Sequence, residues 1–434
     1  MNFDTALDSF RRGPKDARSQ GQAFIQEAAR AGRLTADEVA KLLAAAVSPM
    51  APSEYEWSDP GSTLIYFVRD ASLKNPSAAP PTRVVLKAFT KAPPKTRPAL
   101  LQLLTSRADV ESARAYVAAL TGAATDGQYP FSAADKFANI STFAAESFHP
   151  LMPAASPEVA AVLFPALLDV AHFPQLQHPL YIMLLGFLEQ DLFPLDALRG
   201  KESVFISHLD SIINAALATQ QENRPGHFNW KYEPPYAEHR DLAALLIDLA
   251  GRWDAPATRE VLARSPRFTD PRLSMFNAVS RLRLNIPVAD AEFAAIARSP
   301  RELYTLRILL EKAEMTDRLP AACRDQAKIA EGNMVDWLCF GTELAREPDE
   351  IELVQAETVR KGGFFRRGVP IDYYFFRFRV TEEHWSKEKG WMVGMAGGYT
   401  RTPGGTTLHD GGTFSRFEAW ESKSIKEHVK TYLT

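Results

Sequence analysis

Amphipathic segments dominate the middle of the chain. Apolar side chains recur there at three- and four-residue steps, as in PEVAAVLFPALLDVAHF and HRDLAALLIDLAGRW. This spacing places the apolar positions on one face of an α-helix. Helix starts follow one another roughly every 15 to 25 residues. The pattern predicts a helical domain over residues 99–349, built of successive helical hairpins.

Several of the predicted helices begin with capping signals. Asp270 and Ser299 each precede a proline, so each can cap a helix whose first residue is that proline. Glu302 follows Ser299 by three residues, and Glu38 follows Thr35 at the same distance. This is the spacing of a capping box, in which two side chains satisfy backbone amides reciprocally.

The first hundred residues divide into two parts. Residues 1–50 show helical spacing and predict a group of N-terminal helices. Residues 51–98 contain STLIYFV and RVVLKAF, which fit short strands or short buried helices equally well, with prolines between and after them. We interpret this stretch as an irregular proline-rich connector that could contain a β-hairpin.

The rhythm of helix pairs carries a family resemblance. The stretch TDPRLSMFNAVSRLRLNIPVADAEFAAIARSPRELYTLRILLEKAEM, from Thr269, is similar to two degenerate HEAT or armadillo units. The resemblance implies an irregular α-solenoid whose concave face binds a protein partner. A closed helical bundle without a repeat gives the same rhythm and stays the alternative.

Composition changes at residue 350. Fourteen of the last 84 residues are aromatic, and alanine nearly disappears. IDYYFFRFRV alternates, so Tyr374, Phe376, Phe378 and Val380 should share one face of a strand. ELVQAETV and GWMVGMAGGY predict its neighbours. The sequence therefore predicts a mainly α protein with a C-terminal α+β module over residues 350–434 that contains a small antiparallel sheet.

The same module ends in a predicted helix. Ser424 and Glu427 have the spacing of a third capping box, and Ile425, Val429 and Leu433 share one face. Because so short a helix is marginal alone, we expect it to dock on the sheet.

The segment GGYTRTPGGTTLHDGG, residues 397–412, raises the question of a phosphate-binding loop. A P-loop needs a lysine after its last glycine, and a dinucleotide fingerprint needs Gly-x-Gly-x-x-Gly before a helix; neither is present. Asp410-Gly411 and Pro403-Gly404 are turn dipeptides. We predict turns and a loop here, with Gly394 and Gly397 giving room to the aromatic strand.

The C-terminal module also holds the candidate binding residues. Arginines beside aromatic side chains anchor interfaces and bind anions. The candidates are Arg377, Arg379, His384, Trp385, Trp391, His409 and Arg416.

Bulk properties narrow the function. A net charge of −3 argues against a nucleic-acid binder, and the apolar run PLYIMLLGFL is too short to span a membrane. The N-terminus lacks a secretory signal pattern, and two separated cysteines, Cys323 and Cys339, indicate buried thiols in a reducing cytoplasm. No motif specifies a catalytic residue, a metal site or a cofactor.

Two functions fit these observations. The sequence favours a non-enzymatic scaffold that binds a protein partner along its helical-repeat surface. The alternative is an enzyme or small-ligand binder with its site between the helical body and the glycine-rich module, where His409 or His384 would titrate.

Overall fold

A computed structural model of the protein describes residues 1–50, 59–121, 155–223, 229–264, 268–342, 344, 346–361, 369–380, 390–402 and 405–433. The described residues form seventeen α-helices and one four-stranded sheet. The chain divides into two compact units, Met1–His208 and Leu209–Thr434.

The described residues of the first unit form α-helices with short 3-10 turns between some of them. They are, in chain order, α1 (Phe3–Arg12), α2 (Lys15–Arg30), α3 (Ala36–Ala46), α4 (Pro60–Lys74), α5 (Thr82–Lys91), α6 (Arg97–Ser106), α7 (Val110–Thr121), α8 (Pro157–Leu163), α9 (Pro174–Glu189) and the start of α10 (Glu202–Thr219).

The helices α1 to α6 pack as three hairpins in two layers. Each odd-numbered helix contacts the even-numbered one that follows it. The helices α2, α4 and α6 then lie side by side, as do α1, α3 and α5, and α7 packs on α5 and α6. Leu64, Val68, Leu100 and Leu104 are completely buried between them. Apolar faces of successive hairpins therefore build one continuous core.

The connector contains helices, which is one of the two alternatives that its sequence left open. STLIYFV belongs to α4 and RVVLKAF to α5. Asp59 caps α4 by accepting from the amide of Ser62, and a proline occupies the first helical position. Val85 and Phe89 are buried one turn apart. Prolines here begin helices, and the apolar residues of both segments pack on a helical face.

The predicted caps have mixed outcomes. The capping box of Thr35 and Glu38 is confirmed, and so is Asp270, whose carboxylate accepts from the amide of Arg272 at 2.9 Å. Ser299 stands at the N-cap position, but its side chain makes no capping hydrogen bond. Glu302 is 2% exposed. The predicted box fails because Glu302 pairs with buried arginines instead.

The second unit combines helices with the sheet. Its helices are the rest of α10, α11 (Tyr236–Ala250), α12 (Pro256–Ala263), α13 (Pro271–Arg283), α14 (Asp290–Ile296), α15 (Pro300–Lys312), α16 (Gln326–Phe340) and α17 (Ile425–Leu433). Its strands are β1 (Glu350–Lys361), β2 (Val369–Arg379), β3 (Met392–Thr402) and β4 (Gly405–Ala419). The fold is therefore mainly α with a C-terminal α+β module.

The sheet is an antiparallel meander in the order β1-β2-β3-β4. One face presents Tyr374, Phe376, Phe378 and Val380 to the core formed with α13, α15 and α16, as the alternation predicted. The other face packs against α17. Ile371, Tyr373, Phe375 and Met395 of the sheet lie there beneath the apolar side of that helix.

The glycine-rich segment is mostly strand. Asp410-Gly411 lies inside β4, so the hairpin turn predicted there is wrong. Pro403-Gly404 lies outside the described residues, between β3 and β4. Gly397 pairs with Tyr373, and a Cβ on Gly397 would stand 2.2 Å from Cδ1 of that ring. The prediction that this glycine makes room for an aromatic side chain is confirmed.

Candidate functional site

Three of the predicted binding residues meet on the sheet. Arg377 and Arg379 lie two residues apart on β2, and Trp391 immediately precedes β3. The guanidinium carbons lie 4.4 and 5.0 Å from the centre of the Trp391 ring. The arginines also pair with carboxylates of β1: Arg377 Nε donates to Glu352 at 2.7 Å, and Arg379 pairs with Glu350. This is a partly exposed stack whose charges are balanced.

The other four predicted residues are not brought to that stack. His384 and Trp385 lie outside the described residues. His409 and Arg416 belong to β4, but their side chains lie outside the described part of the structure. Arg377, Arg379 and Trp391 are thus brought together, and a role in binding remains a prediction for all seven residues.

A buried charge cluster, which the sequence did not indicate, lies in the helical part of the second unit. Its centre is Asp270, which has no exposed surface. Arg240 Nε donates to Oδ2 of Asp270 at 2.5 Å, and the Tyr236 hydroxyl donates to the same oxygen at 3.0 Å. Burial alone would raise the pKa of Asp270, but attraction to Arg240 and hydrogen bonding outweigh it and lower the pKa.

Arg301 and Tyr232 extend the cluster. The Arg301 guanidinium lies between two rings, 5.2 Å from the centre of Tyr232 and 4.5 Å from that of Phe340. It donates to the Tyr232 hydroxyl at 2.5 Å, and that hydroxyl donates to Glu347 at 2.8 Å. Lys231 also donates to Glu347, at 2.8 Å. Phe340 is 66% exposed and covers the arginine from the solvent side.

Glu302 completes the cluster among arginines. Its carboxylate lies 3.5 Å from Arg240 and 3.9 Å from Arg272. Burial raises the pKa of Glu302, and the surrounding arginines offset only part of that effect. Because the cluster ties segments near residues 231, 270, 301 and 347 together through paired charges, we assign it a structural role. The one sequence feature that could have indicated this cluster is the density of charged residues in otherwise apolar helices.

A groove lies on the exposed side of α2, α4 and α6 in the first unit. Its volume is about 410 Å³. The α2–α4–α6 groove is lined by Gln22, Gln26, Arg30, Thr63, Tyr66, Phe67, Arg69, Asp70 and Gln102. Most of these lining residues are polar, and the aromatic ring of Tyr66 among them is 36% exposed.

The charged side chains of the groove partly neutralise one another, whereas its side-chain amides make no hydrogen bonds within the described part of the chain. Arg69 pairs with Asp70 at 3.0 Å and lies 5.2 Å from the centre of the Tyr66 ring. Among the described residues, no hydrogen bond occupies the side-chain amides of Gln22, Gln26 and Gln102. The groove thus offers three primary amides, each able to donate and to accept.

Both thiols are buried and unsuited to nucleophilic chemistry. Burial raises the pKa of Cys323 to about 11 and that of Cys339 to about 12. Thiolate is the reactive form, so both are nearly unreactive at neutral pH. Within the described residues, no three or more histidine, cysteine or acidic side chains come together as a metal site would require.

Comparisons with known proteins give no further guide. No protein-family model, curated protein or solved structure matches the chain. In the described part of the chain, no helix has the length and apolar character needed to cross a membrane.

Proposed function

We propose that this protein is a non-enzymatic interaction protein that holds an extended peptide segment of a partner protein along the α2–α4–α6 groove. The observation that carries the proposal is the placement of Gln22, Gln26 and Gln102 beside the partly exposed ring of Tyr66.

The chemistry of an extended peptide matches these side chains. A strand outside a sheet leaves one N–H and one C=O per residue without a partner. A primary amide can satisfy both, because it carries two donors and an acceptor oxygen. Gln22 and Gln26 are one turn apart on α2, and Gln102 lies on α6, so α4 and Tyr66 stand between the two sets. The amides would hold the backbone of the peptide.

Apolar anchors on α4 would select the side chains of the peptide. Leu73 follows Tyr66 by seven residues, two helical turns, and therefore shares its face. Leu73 is 59% exposed. Tyrosine anchors contribute strongly at interfaces because a large ring is ordered at a small entropic cost.

The packing of α1 to α6 supports a solenoid as the scaffold of this groove. Hairpins in two layers, with α2, α4 and α6 adjacent, are the arrangement in which a repeat protein offers one helix of each hairpin to a ligand. We therefore extend the proposed HEAT-like architecture to residues 1–121. We further propose a cytoplasmic location, supported by the two free, buried thiols.

Site-specific photo-crosslinking tests the proposal. The full chain would carry benzoylphenylalanine in place of Tyr66 or, as a matched control, in place of Val84, an exposed residue of α5. After irradiation in native extract, we expect position 66 to give crosslinks to one contiguous peptide segment, identified by mass spectrometry, and position 84 to give none of them.

The identified segment would then be synthesised and titrated by fluorescence anisotropy. Tyr66→Ala should weaken binding about 30-fold, the effect of losing an interface anchor worth about 2 kcal/mol. Gln26→Ala should weaken it about 2- to 10-fold, as one lost hydrogen bond does. Equal crosslinking at both positions, or affinity unchanged by Tyr66→Ala, would contradict the proposal.

A further inference from the structure

A second concave site lies within the Leu209–Thr434 unit. The α13–α14 cavity has a volume of about 600 Å³, which is in the range of small-molecule sites. Its lining residues are Asn223, Phe268, Thr269, Pro271, Ser274, Asn277, Arg281, Glu292, Ala295 and Ile296. One face of α13 and one of α14 therefore form its walls.

Among the described residues, two polar groups on α13 have no hydrogen-bond partner at this cavity. Asn277 is 4% exposed, and its side-chain Nδ2 donates to none of the described atoms. Nε of Arg281 is likewise buried and has no acceptor within the described part of the chain. The two residues are four positions apart and so share a side of the helix. Buried donors are nearly always paired in folded proteins, so two neighbouring exceptions at one cavity point to an acceptor that is supplied from outside.

The charges around these two donors indicate whether the acceptor is neutral or anionic. Arg281 already donates from Nη1 to Glu292 at 2.8 Å and from Nη2 to the carbonyl oxygen of Pro287 at 2.5 Å. The guanidinium and the carboxylate neutralise one another, which leaves no net positive charge for an anion. A neutral carbonyl oxygen fits two N–H donors beside such a pair.

The remaining walls suit an apolar body. Phe268, Pro271, Ala295 and Ile296 contribute apolar surface. The hydroxyl of Ser274 donates to the carbonyl oxygen of Phe268 at 3.1 Å, so its proton is not offered to a ligand. The cavity therefore combines apolar surface with convergent polar groups, as sites for small molecules do.

We propose that the α13–α14 cavity binds a small neutral compound with an apolar ring and an amide or ketone carbonyl, and that Asn277 and Arg281 donate to that carbonyl. This proposal does not depend on the proposed peptide groove, and its tests are independent of that groove. Nothing in the proposal requires a chemical transformation of the bound compound.

Three fragments separate the parts of this proposal. Acetanilide has the ring and the carbonyl, N-ethylaniline keeps the ring without the carbonyl, and benzoate carries a negative charge. Binding to the full chain would be followed by saturation-transfer difference NMR. We expect acetanilide to bind at least about tenfold more tightly than either of the others, since one well-made hydrogen bond is worth about that factor.

Two variants place the fragment in the cavity. Ala295→Trp should fill the opening and abolish binding, whereas Ala294→Trp, also exposed but not part of the lining, should leave it unchanged. Asn277→Leu removes the unpaired amide, so it should keep the fold, raise the melting temperature by about 2–4 °C, and weaken acetanilide about tenfold without affecting N-ethylaniline.

Several results would overturn the proposal. Tighter binding of benzoate would indicate an anion site, and binding that survives Ala295→Trp would place the fragment elsewhere. Absence of acetanilide binding at millimolar concentration would remove the site itself. An affinity for acetanilide that Asn277→Leu leaves unchanged would refute the assigned donor.

Discussion

Replacing Asp270 tests whether the buried charge cluster holds the second unit together. Its carboxylate accepts from Arg240, from Tyr236 and from the amide of Arg272 at the start of α13. In Asp270→Ala the Arg240 guanidinium, 4% exposed, would keep the carboxylate of Glu302 at 3.5 Å as its one anionic partner among the described residues. Removing one partner of a buried pair costs about 3–5 kcal/mol because the other charge stays buried.

Further variants separate the contribution of the helix cap from that of the buried charge. Asp270→Asn preserves an oxygen for the helix cap, worth about 1 kcal/mol, and removes only the charge. Adding Arg240→Met to Asp270→Ala should recover part of the lost stability, since no uncompensated charge then remains. Asp254→Ala is the control, because Asp254 pairs with Arg259 at an exposed position and should have little measurable effect.

Urea unfolding monitored by tryptophan fluorescence is the assay. Six of the seven tryptophans follow Leu209, so the signal reports on the second unit. With a slope of about 3 kcal/mol per molar urea, the midpoint should fall by about 1–2 M in Asp270→Ala. A midpoint no lower than that of the Asp254→Ala control would refute the reasoning.

The pH dependence gives a second readout of the same carboxylate. The pKa of Asp270 is lower in the folded state than its ordinary value of 3.8. The unfolded chain therefore binds the proton first, and the stabilisation is complete above that value. It should be lost as the pH falls through the lower folded pKa, so the excess instability of Asp270→Asn should be largest near neutral pH and shrink in acid.

Three further predictions concern other parts of the fold. Gly397→Ala should lower the melting temperature, because the added methyl group overpacks against Tyr373 at a cost of about 1–3 kcal/mol of stability. Adding Tyr373→Ala should restore part of that stability, and an unchanged melting curve for Gly397→Ala would contradict the close approach. Cys323 and Cys339, with pKa values of about 11 and 12, should resist iodoacetamide at pH 8 until guanidinium unfolds the protein, as alkylation followed by mass spectrometry would reveal. Thr35→Ala should cost about 1 kcal/mol in chemical unfolding followed by circular dichroism, and a loss near zero would mean that the capping box contributes nothing.

Periodicity predicted an element well where its two faces have different surroundings. β2 alternates between two different cores, so its pattern specified both the strand and its faces. STLIYFV left strand and helix open because a segment that is apolar at nearly every position has no distinguishing period. Asp59 before a proline is the same signal that correctly predicted the cap at Asp270, and it identifies α4.

The candidate sites were harder to predict because they depend on distant neighbours. Glu302 has the spacing of a capping partner, and only the presence of Arg240 and Arg272 in space decides that it is buried instead. Gln22 and Gln26 resemble any solvated helix face. They border a groove only because α4 and α6 pack beside α2. Tertiary context, which no local window contains, made the difference in each case.

The exposed ring of Phe340 has a practical consequence for protein engineering. An effort to improve solubility would replace Phe340 first, because it is a large apolar side chain at the surface. That ring is the outer cover of the Arg301 guanidinium, so a polar replacement would admit water to a charge held in place by stacking. Variants made to improve solubility should keep Phe340 and replace Val84 first.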